Sequence, residues 1–354
     1  MESSMENQKM MGTQSIAFRN PPWIISAASV VGQKEGEGPL GSYFDVISED
    51  PMFGGTSWED AESRMMKLAV EQAINKSGLS KEKIRYLVGG DLLGQLIATF
   101  FGVEALSIPM FGVYGACSTM GESLGFASVL VDGGYADTAL AVTSSHFAGA
   151  EKQFRFPLAY GNQRPLAATW TVTGSGALIV SRTRAGAKDS ETKSGEHDVR
   201  VIGMTPGRIV DYGVKDSMNM GACMAPAACD TIAANLRDFG VKPDYYDKII
   251  TGDLGYVGQE IVIALLKEKG YDIKDRHLDC GILIYDREVQ DTHSGGSGCG
   301  CSAVTLAGYL LRQLRTGKWK RILFVPTGAL LSPVSFNEGN PVPGIAHAVM
   351  LEAV

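Results

Sequence analysis

The chain has 354 residues, of which 45% are hydrophobic and 20% charged, as is typical of a globular protein with a large core. This length suits two halves of comparable size. The net charge of −7 argues against a nucleic-acid surface and gives no attraction to anionic lipid. Residues 1–13 lack the apolar core of a signal peptide. The most apolar stretch, 96–114, is interrupted by Glu104 and Pro109, so we expect no transmembrane segment.

The first half is predicted to alternate helices and strands. Its first clear helix is capped by Ser57, carries Asp60 at the capping-box position and ends at Gly78. The following segments are predicted as strand 84–88, helix 93–103, strand 110–113, helix 117–133, strand 138–144 and strand 171–181. Alternation of this kind indicates mixed sheets covered by helices.

The second half repeats this order. Its predicted elements are helix 226–239, strand 247–250, helix 258–269, strand 281–285, helix 300–316, strand 321–326 and a final strand from 344. Asp91 and Asp253 end equivalent strands at an offset of 162 (253 − 91). The polar segment 183–198 is the expected linker. We therefore predict a duplicated α/β fold with halves at 1–182 and 183–354.

The two copies differ at one informative position. Registering the strands that begin at 139 and 322 gives an offset of 183 (322 − 139), which places Cys117 on Gly300. A thiol in one copy suggests that this copy serves chemistry or binding and the other serves as scaffold. A helix N-terminus stabilises a thiolate, so we expect a lowered pKa for Cys117. The alternative is a small buried hydrophobic residue.

Metals and cofactors are not expected. The six cysteines have no metal-ligand spacing with histidines, which favours reduced thiols. The glycine-rich segment 295–298 is followed by no lysine at P-loop spacing, so the sequence predicts no nucleotide cofactor.

Further site candidates follow the Cys117 helix. Ser145 and His146 come at the end of the next strand, where α/β sites gather, although a backbone-bonded structural histidine is the alternative. Arg155 lies between Phe154 and Phe156 and suits a carboxylate ligand, or it is a surface arginine covering Phe154.

Five other charged or titratable residues are weaker candidates. Arg164 and Lys152 could serve the role proposed for Arg155. The symmetry of the two strand-end aspartates favours helix capping for both. His347, in the last strand, is expected to pack beside the interface between the repeats.

These features resemble the thiolase superfamily: two copies of one unit, a helix-start cysteine in the first, Gly-Ser-Gly-Ala from Gly174, and a glycine-led final strand. Longer strings, covering nearly the whole chain from Phe18, are similar to the stage V sporulation protein AD family. They are 36–42, 89–93, 111–119, 143–146, 153–157, 225–228, 295–303 and 327–333.

The resemblance implies a thiolase-like, five-layer α-β-α-β-α fold and a homodimer. It also implies a role in endospore formation, in the system that moves dipicolinic acid, or its calcium chelate, into the spore. The chain would be a soluble component beside membrane-spanning partners, peripheral to the cytoplasmic side of the forespore inner membrane.

The sequence departs from working condensing enzymes of this superfamily. Such enzymes need two further polar groups beside the cysteine, yet the loop 295–298 holds no asparagine and the terminal motif 343–345 holds no second cysteine. We therefore expect a non-catalytic protein that binds dipicolinate through Cys117, Ser145, His146 and Arg155. The rival is an acyl-transferring or condensing enzyme with Cys117 as nucleophile and His146 as its partner. An inert assembly subunit is the third option.

Overall fold

Strands of both halves form one long sheet path in the computed structural model, which describes residues 9–154, 163–184 and 196–354. The strands are β1 Met10–Met11, β2 Ser15–Ala17, β3 Trp23–Gly32, β4 Val46–Ser48, β5 Tyr86–Gly90, β6 Met110–Gly112, β7 Thr138–Ser145, β8 Trp170–Thr171, β9 Gly174–Ser181, β10 Val199–Thr205, β11 Lys248–Thr251, β12 His277–Asp279, β13 Gly296–Ser297, β14 Arg321–Val325, β15 Thr327–Ala329, β16 Gly344–Ala346 and β17 Ala348–Ala353.

The helices alternate with these strands as the sequence predicts. They are α1 Gln33–Gly36, α2 Trp58–Ser77, α3 Ile97–Val103, α4 Thr119–Asp132, α5 Phe147–Phe154, α6 Met220–Phe239, α7 Gly255–Glu268, α8 Cys280–Ile284, α9 Cys299–Val304, α10 Leu311–Arg315 and α11 Pro333–Asn337. A π-helical stretch, Thr305–Leu310, joins α9 to α10, so these segments form one continuous inner helix.

The strand order confirms the duplication. The path runs β12-β11-β14-β17-β10-β3-β9-β7-β5-β6. Read outward from the centre, β3-β9-β7-β5-β6 and β10-β17-β14-β11-β12 have the same order, and β5–β7 and β11–β14 are both parallel. The two halves join where β10 pairs with β3, at Arg200 and Trp23. Residues 185–195 of the expected linker lie outside the described residues, and the boundary at 182/183 stays a prediction.

Apolar side chains separate the sheets and helices into layers. Helix α4 and the α9–α10 helix pack in the core between the strands of the first half (the first sheet) and those of the second half (the second sheet). Leu124 and Phe324 are among the buried residues of this core. Helices α2 and α3 cover the outer face of the first sheet, and α6 and α7 cover that of the second. This is the α-β-α-β-α layering that was expected.

Local capping explains where the sequence prediction succeeds and where it is wrong. Ser57 Oγ accepts a hydrogen bond from Asp60 N at 3.2 Å, and α2 has the predicted bounds. Helix α6 starts six residues before Pro226, because Asn219 caps it there. The predicted strand 281–285 is wrong: it is largely α8, since Asp279 accepts the Ile282 amide at 3.2 Å and starts a helix.

Within the described parts of the chain, no helix is both long enough and apolar enough to cross a bilayer.

Candidate functional site

A pocket lies between the two halves, beside Cys117. Its described lining is mostly apolar and contains no lysine or arginine. The first half contributes Leu92, Tyr114, Ala116, Cys117, Ala150, Glu151, Phe154 and Thr171, and the second half contributes Met220, Ser297, Ala329 and Leu331.

Cys117 stands in a tight turn two residues before α4, whereas the sequence predicted that the helix starts at Cys117 itself. Ala116 has a φ of 51°, a left-handed conformation that is uncommon for residues other than glycine. Thr119 Oγ1 donates to Ala116 O, and Gly115 N donates back to Thr119 Oγ1 at 3.1 Å. At Gly328 in β15, an added Cβ would lie 2.2 Å from Gly115 O, so the second half clamps the turn. The turn is therefore held from both halves, and the thiol is 6% exposed.

The side chain that meets the thiol is Asp253, from the end of β11 in the second half. The Cys117 thiol lies next to its carboxyl group, close enough to interact with it. Gly298 N donates to Asp253 Oδ2 at 2.9 Å, and Thr327 Oγ1 donates to Oδ1 at 2.7 Å. Asp253 is completely buried, so this thiol–carboxyl pair forms the floor behind the pocket.

This placement corrects the prediction that Asp253 caps the next helix. Asp279 does that, since it accepts the amides of Leu254 at 2.8 Å and Gly255 at 3.1 Å. The equivalent prediction for Asp91 is confirmed, because its carboxylate accepts the amides of Leu93 at 2.7 Å and Thr99 at 2.8 Å. Equivalent aspartates thus have different roles in the two halves.

The electrostatics of the pair also differ from expectation. Burial raises the pKa of the Cys117 thiol well above its usual range, and the neighbouring charge of Asp253 raises it further. The predicted lowering by the helix N-terminus is therefore wrong, and the thiol is neutral near pH 7. Burial raises the pKa of Asp253 to about 7, against the opposing hydrogen bonds from Gly298, Thr327 and Cys117. Burial likewise raises the pKa of Tyr114, at the pocket wall, to about 12.

Of the four predicted ligand-binding residues, Cys117 is the one that lines the described pocket. Ser145 Oγ instead donates to Val172 O at 2.7 Å and accepts the Gly300 amide. His146 lies outside the described lining, with Nε2 2.8 Å from Pro51 O, and burial lowers its pKa. Arg155 lies outside the described residues.

The weaker candidates lie elsewhere. Arg164 donates to Asp291 O at 2.8 Å and covers the Trp170 ring, with its guanidinium carbon 4.6 Å from the ring centroid. Lys152 is exposed on α5. His347 packs where the repeats meet, as predicted, and its Nδ1 accepts the Gly207 amide at 3.2 Å.

Sequence reasoning placed Asp253 at a strand end but favoured helix capping for it, and it overlooked Glu151. Glu151 lines the pocket, is almost fully buried and accepts a hydrogen bond from Thr171 Oγ1 at 3.0 Å. Its position directly before the aromatic Arg155 segment was the available signal. For Asp253 the signal was its strand-end position opposite the cysteine-bearing copy. The described residues contain no cluster of three or more side chains suited to a metal ion.

Solved structures with this fold are enzymes of the thiolase superfamily. 3-Oxoacyl-[acyl-carrier-protein] synthase III from Aquifex aeolicus matches with a TM-score of 0.54 and 15% identity, over 94% of this chain and 99% of its own. A variant of Xanthomonas campestris OleA matches with 0.57 and 14%, over 95% and 97%. Human mitochondrial 3-ketoacyl-CoA thiolase matches with 0.55 and 12%, over 96% and 99%. These likenesses establish the thiolase-like fold.

Sequence comparison is more specific. The sequence model for stage V sporulation protein AD matches residues 12–352. Stage V sporulation protein AD of Bacillus subtilis (strain 168) is 44% identical over 344 residues, which cover 97% of this chain and 98% of that protein. The chain therefore belongs to the stage V sporulation protein AD family.

Proposed function

We propose that this protein binds dipicolinic acid, or its calcium chelate, in the Cys117 pocket as a non-catalytic component of the spore's uptake of that ligand. The observation that carries the proposal is the thiol–carboxyl pair at the floor of an otherwise mostly apolar pocket. Membership of a sporulation family supports the biological setting.

The site chemistry supports binding over covalent catalysis. A cysteine nucleophile reacts as its thiolate, and burial together with Asp253 disfavours that form of Cys117. A base must also lie within hydrogen-bond reach. His146 and His347 bond to backbone groups of Pro51 and Gly207 instead.

One observation favours the enzymatic alternative. The carboxyl group of Asp253 lies next to the Cys117 thiol, where a general base would stand. Transfer of the thiol proton is uphill, because the pKa of the thiol lies well above that of Asp253. An acyl-transferring or condensing activity on a thioester is therefore the second candidate, and an inert assembly subunit is the third.

A flat aromatic dicarboxylate fits the character of this lining. Leu92, Phe154 and Leu331 offer apolar surface for the ring. Cys117 and Thr171 offer polar groups at the same pocket. The described lining carries the Glu151 carboxyl and no cation, which favours the calcium chelate, since Ca²⁺ neutralises the ligand and accepts oxygen ligands. The free dianion would need a cation, and Arg155 remains the proposed one.

Calorimetric titration with dipicolinate and with its calcium chelate tests the proposal. Ala329→Met narrows the pocket and should weaken binding at least about tenfold by overpacking. Val334→Met, on exposed α11 in the same half, is the matched control and should bind normally. If neither ligand binds to the folded wild type, the proposal is excluded. A stable acyl adduct on Cys117 after exposure to acyl-coenzyme A, with turnover, would favour the enzyme instead.

We further propose a homodimer formed along β6. This strand ends the sheet path, so one side of it offers unpaired backbone groups. Exposed aromatic side chains surround it: Phe111 is 40% exposed, Phe100 47% and Phe101 64%. Contiguous apolar surface of this kind marks interaction sites.

Sedimentation at micromolar concentration tests the dimer. We expect twice the subunit mass for the wild type and a monomer for Phe101→Asp. Tyr135→Asp changes an equally exposed aromatic residue away from this edge and should leave the dimer intact. A wild-type mass of one subunit would contradict the proposal.

The cellular setting is also a proposal: a peripheral position at the cytoplasmic side of the forespore inner membrane, held by membrane-spanning proteins of the same uptake system. The described helices are too short or too polar to span a bilayer, which is consistent with attachment through partners. Fractionation of sporulating cells should recover the protein with membranes, and release it when those partners are deleted. Recovery with membranes in their absence would contradict partner-mediated attachment.

A further inference from the structure

We propose that Asp253 is a positioning residue whose protonation turns the S–H of Cys117 into the pocket, so that a carboxylate ligand binds together with one proton. This inference rests on the proposed function, in which the pocket receives dipicolinate. In this proposal a residue of the second half controls the orientation of a thiol in the first half.

The geometry places Asp253 behind the thiol, since it is fully buried and Cys117 lies between it and the pocket. Two donors occupy its oxygens, Gly298 N at 2.9 Å and Thr327 Oγ1 at 2.7 Å. An ionised carboxylate only accepts hydrogen bonds, so the single thiol proton then points at Asp253. In that state the sulfur lone pairs of Cys117 face the pocket, and the negative charge of Asp253 lies behind them.

Protonation reverses this arrangement. A neutral carboxyl group has an O–H of its own, which can donate to the sulfur of Cys117. The thiol proton is then free to turn into the pocket and donate to a ligand carboxylate. One proton passes from solvent to Asp253, no covalent bond to the ligand forms, and the charge that would repel an anion is removed.

Other titratable groups surround Asp253. The thiols of Cys117, Cys280, Cys299 and Cys301 face it, and burial raises the pKa of each well above the usual range, so they stay neutral. The second carboxyl is Asp279, which accepts four hydrogen bonds: from Thr251 Oγ1 at 2.6 Å and from the amides of residues 254, 255 and 282 at 2.8, 3.1 and 3.2 Å.

The direction of the pH dependence follows from this arrangement. Burial raises the pKa of Asp253 to about 7, so its charge changes near neutral pH. A bound anion stabilises the protonated form further, and binding therefore draws in a proton. Above that pKa the affinity should fall by about tenfold per pH unit, the limit for uptake of one proton.

Calorimetry with dipicolinate at about pH 6, 7 and 8, in two buffers of different ionisation enthalpy, measures the protons taken up. For the wild type we expect nearly one proton at pH 8 and weaker binding there than at pH 6. Asp253→Asn has no proton to gain, so its binding should be independent of pH and buffer, and within about threefold of the wild type at pH 6. Thr327→Val removes a donor to the carboxylate, which raises the pKa of Asp253 and moves the loss of affinity to higher pH.

An unchanged pH slope in Asp253→Asn would overturn the proposal. Failure of both dipicolinate and its calcium chelate to bind the folded wild type at any pH would instead defeat the proposed function. The effect of Asp253 on the thiol can be tested without ligand through the S–H infrared band of Cys117. This band is identified as the one lost in Cys117→Ala. A shift of that band between pH 6 and 8 that is absent in Asp253→Asn supports control of the thiol by Asp253. A wild-type band that does not move contradicts it.

Discussion

The two halves share one strand order but differ at the two positions that build the site. In the first half the inner helix starts from a strained turn, and Cys117 opens onto the pocket. In the second half the equivalent Gly300 lies inside a buried helix, pressed against Gly174 and Ser145 of the first half. The duplicated fold therefore has room for a side chain at this position in one copy only.

The strand-end aspartates also differ between the two halves. Asp91, in the same half as the thiol, organises backbone amides, and Asp253, from the other half, contacts the thiol. One half supplies the thiol and the other supplies the carboxyl. We infer that a duplicated protein can build one asymmetric site by using different members of its symmetry-related pairs.

The largest expected effect comes from adding a side chain at Gly300, the position in the second half that is equivalent to Cys117. At Gly300 an added Cβ would lie 2.3 Å from Gly174 O and 2.6 Å from Ser145 Oγ. Gly300→Ala should therefore lower the free energy of unfolding by about 5 kcal/mol, because backbone must move. Urea denaturation measures this. Gly94→Ala is the control, since its Cβ would meet only Gln153 Nε2 at 3.7 Å. Equal stability of the two variants would refute the steric asymmetry.

The second prediction concerns the pH dependence that Asp253 gives to stability. Because the pKa of Asp253 is about 7 in the folded protein and 3.8 as its ordinary value, the native state keeps a proton that the unfolded state loses. Its contribution to stability therefore falls as pH rises from about 4 to 7. By this linkage Asp253→Asn should gain on the order of 4 kcal/mol over the wild type at pH 8, relative to their difference at pH 4. Parallel stability–pH curves for the two proteins would show that Asp253 is not the buried acid described here.

The third prediction concerns the hydrogen bonds that Asp91 accepts. Asp91→Ala leaves the buried amides of Leu93 and Thr99 without their acceptor, at a cost of about 3 kcal/mol in unfolding free energy. Thermal and urea unfolding measure the loss. A cost below about 1 kcal/mol would mean that water or backbone replaces the carboxylate.

The sequence predicted what depends on local signals. Alternation of apolar segments indicated the duplicated order, and Ser57 and Gly78 marked both ends of α2. The run 281–285 was too short to distinguish strand from helix by pattern, and the Asp279 cap decides it. The site was predictable only at Cys117. Its contact with Asp253 forms across the two halves, and burial, which reverses the expected pKa shift of the thiol, has no local signature.

The smallest effect concerns the thiol. If Cys117 supplies one hydrogen bond to the ligand, Cys117→Ala should keep the fold and weaken dipicolinate binding by about 1 kcal/mol, roughly fivefold. The fold should hold because the side chain packs in a small apolar cluster with Leu92, Ala150 and Cys299. Cys117→Ser restores a donor of similar shape and should recover most of the affinity. A covalent nucleophile would behave differently, since both variants would then abolish function while the protein still bound dipicolinate normally. Titrations of the three proteins, paired with the dipicolinate content of spores carrying each variant, distinguish these outcomes. Spores that lack dipicolinate although the purified alanine variant binds it normally would show that the thiol does more than contact the ligand.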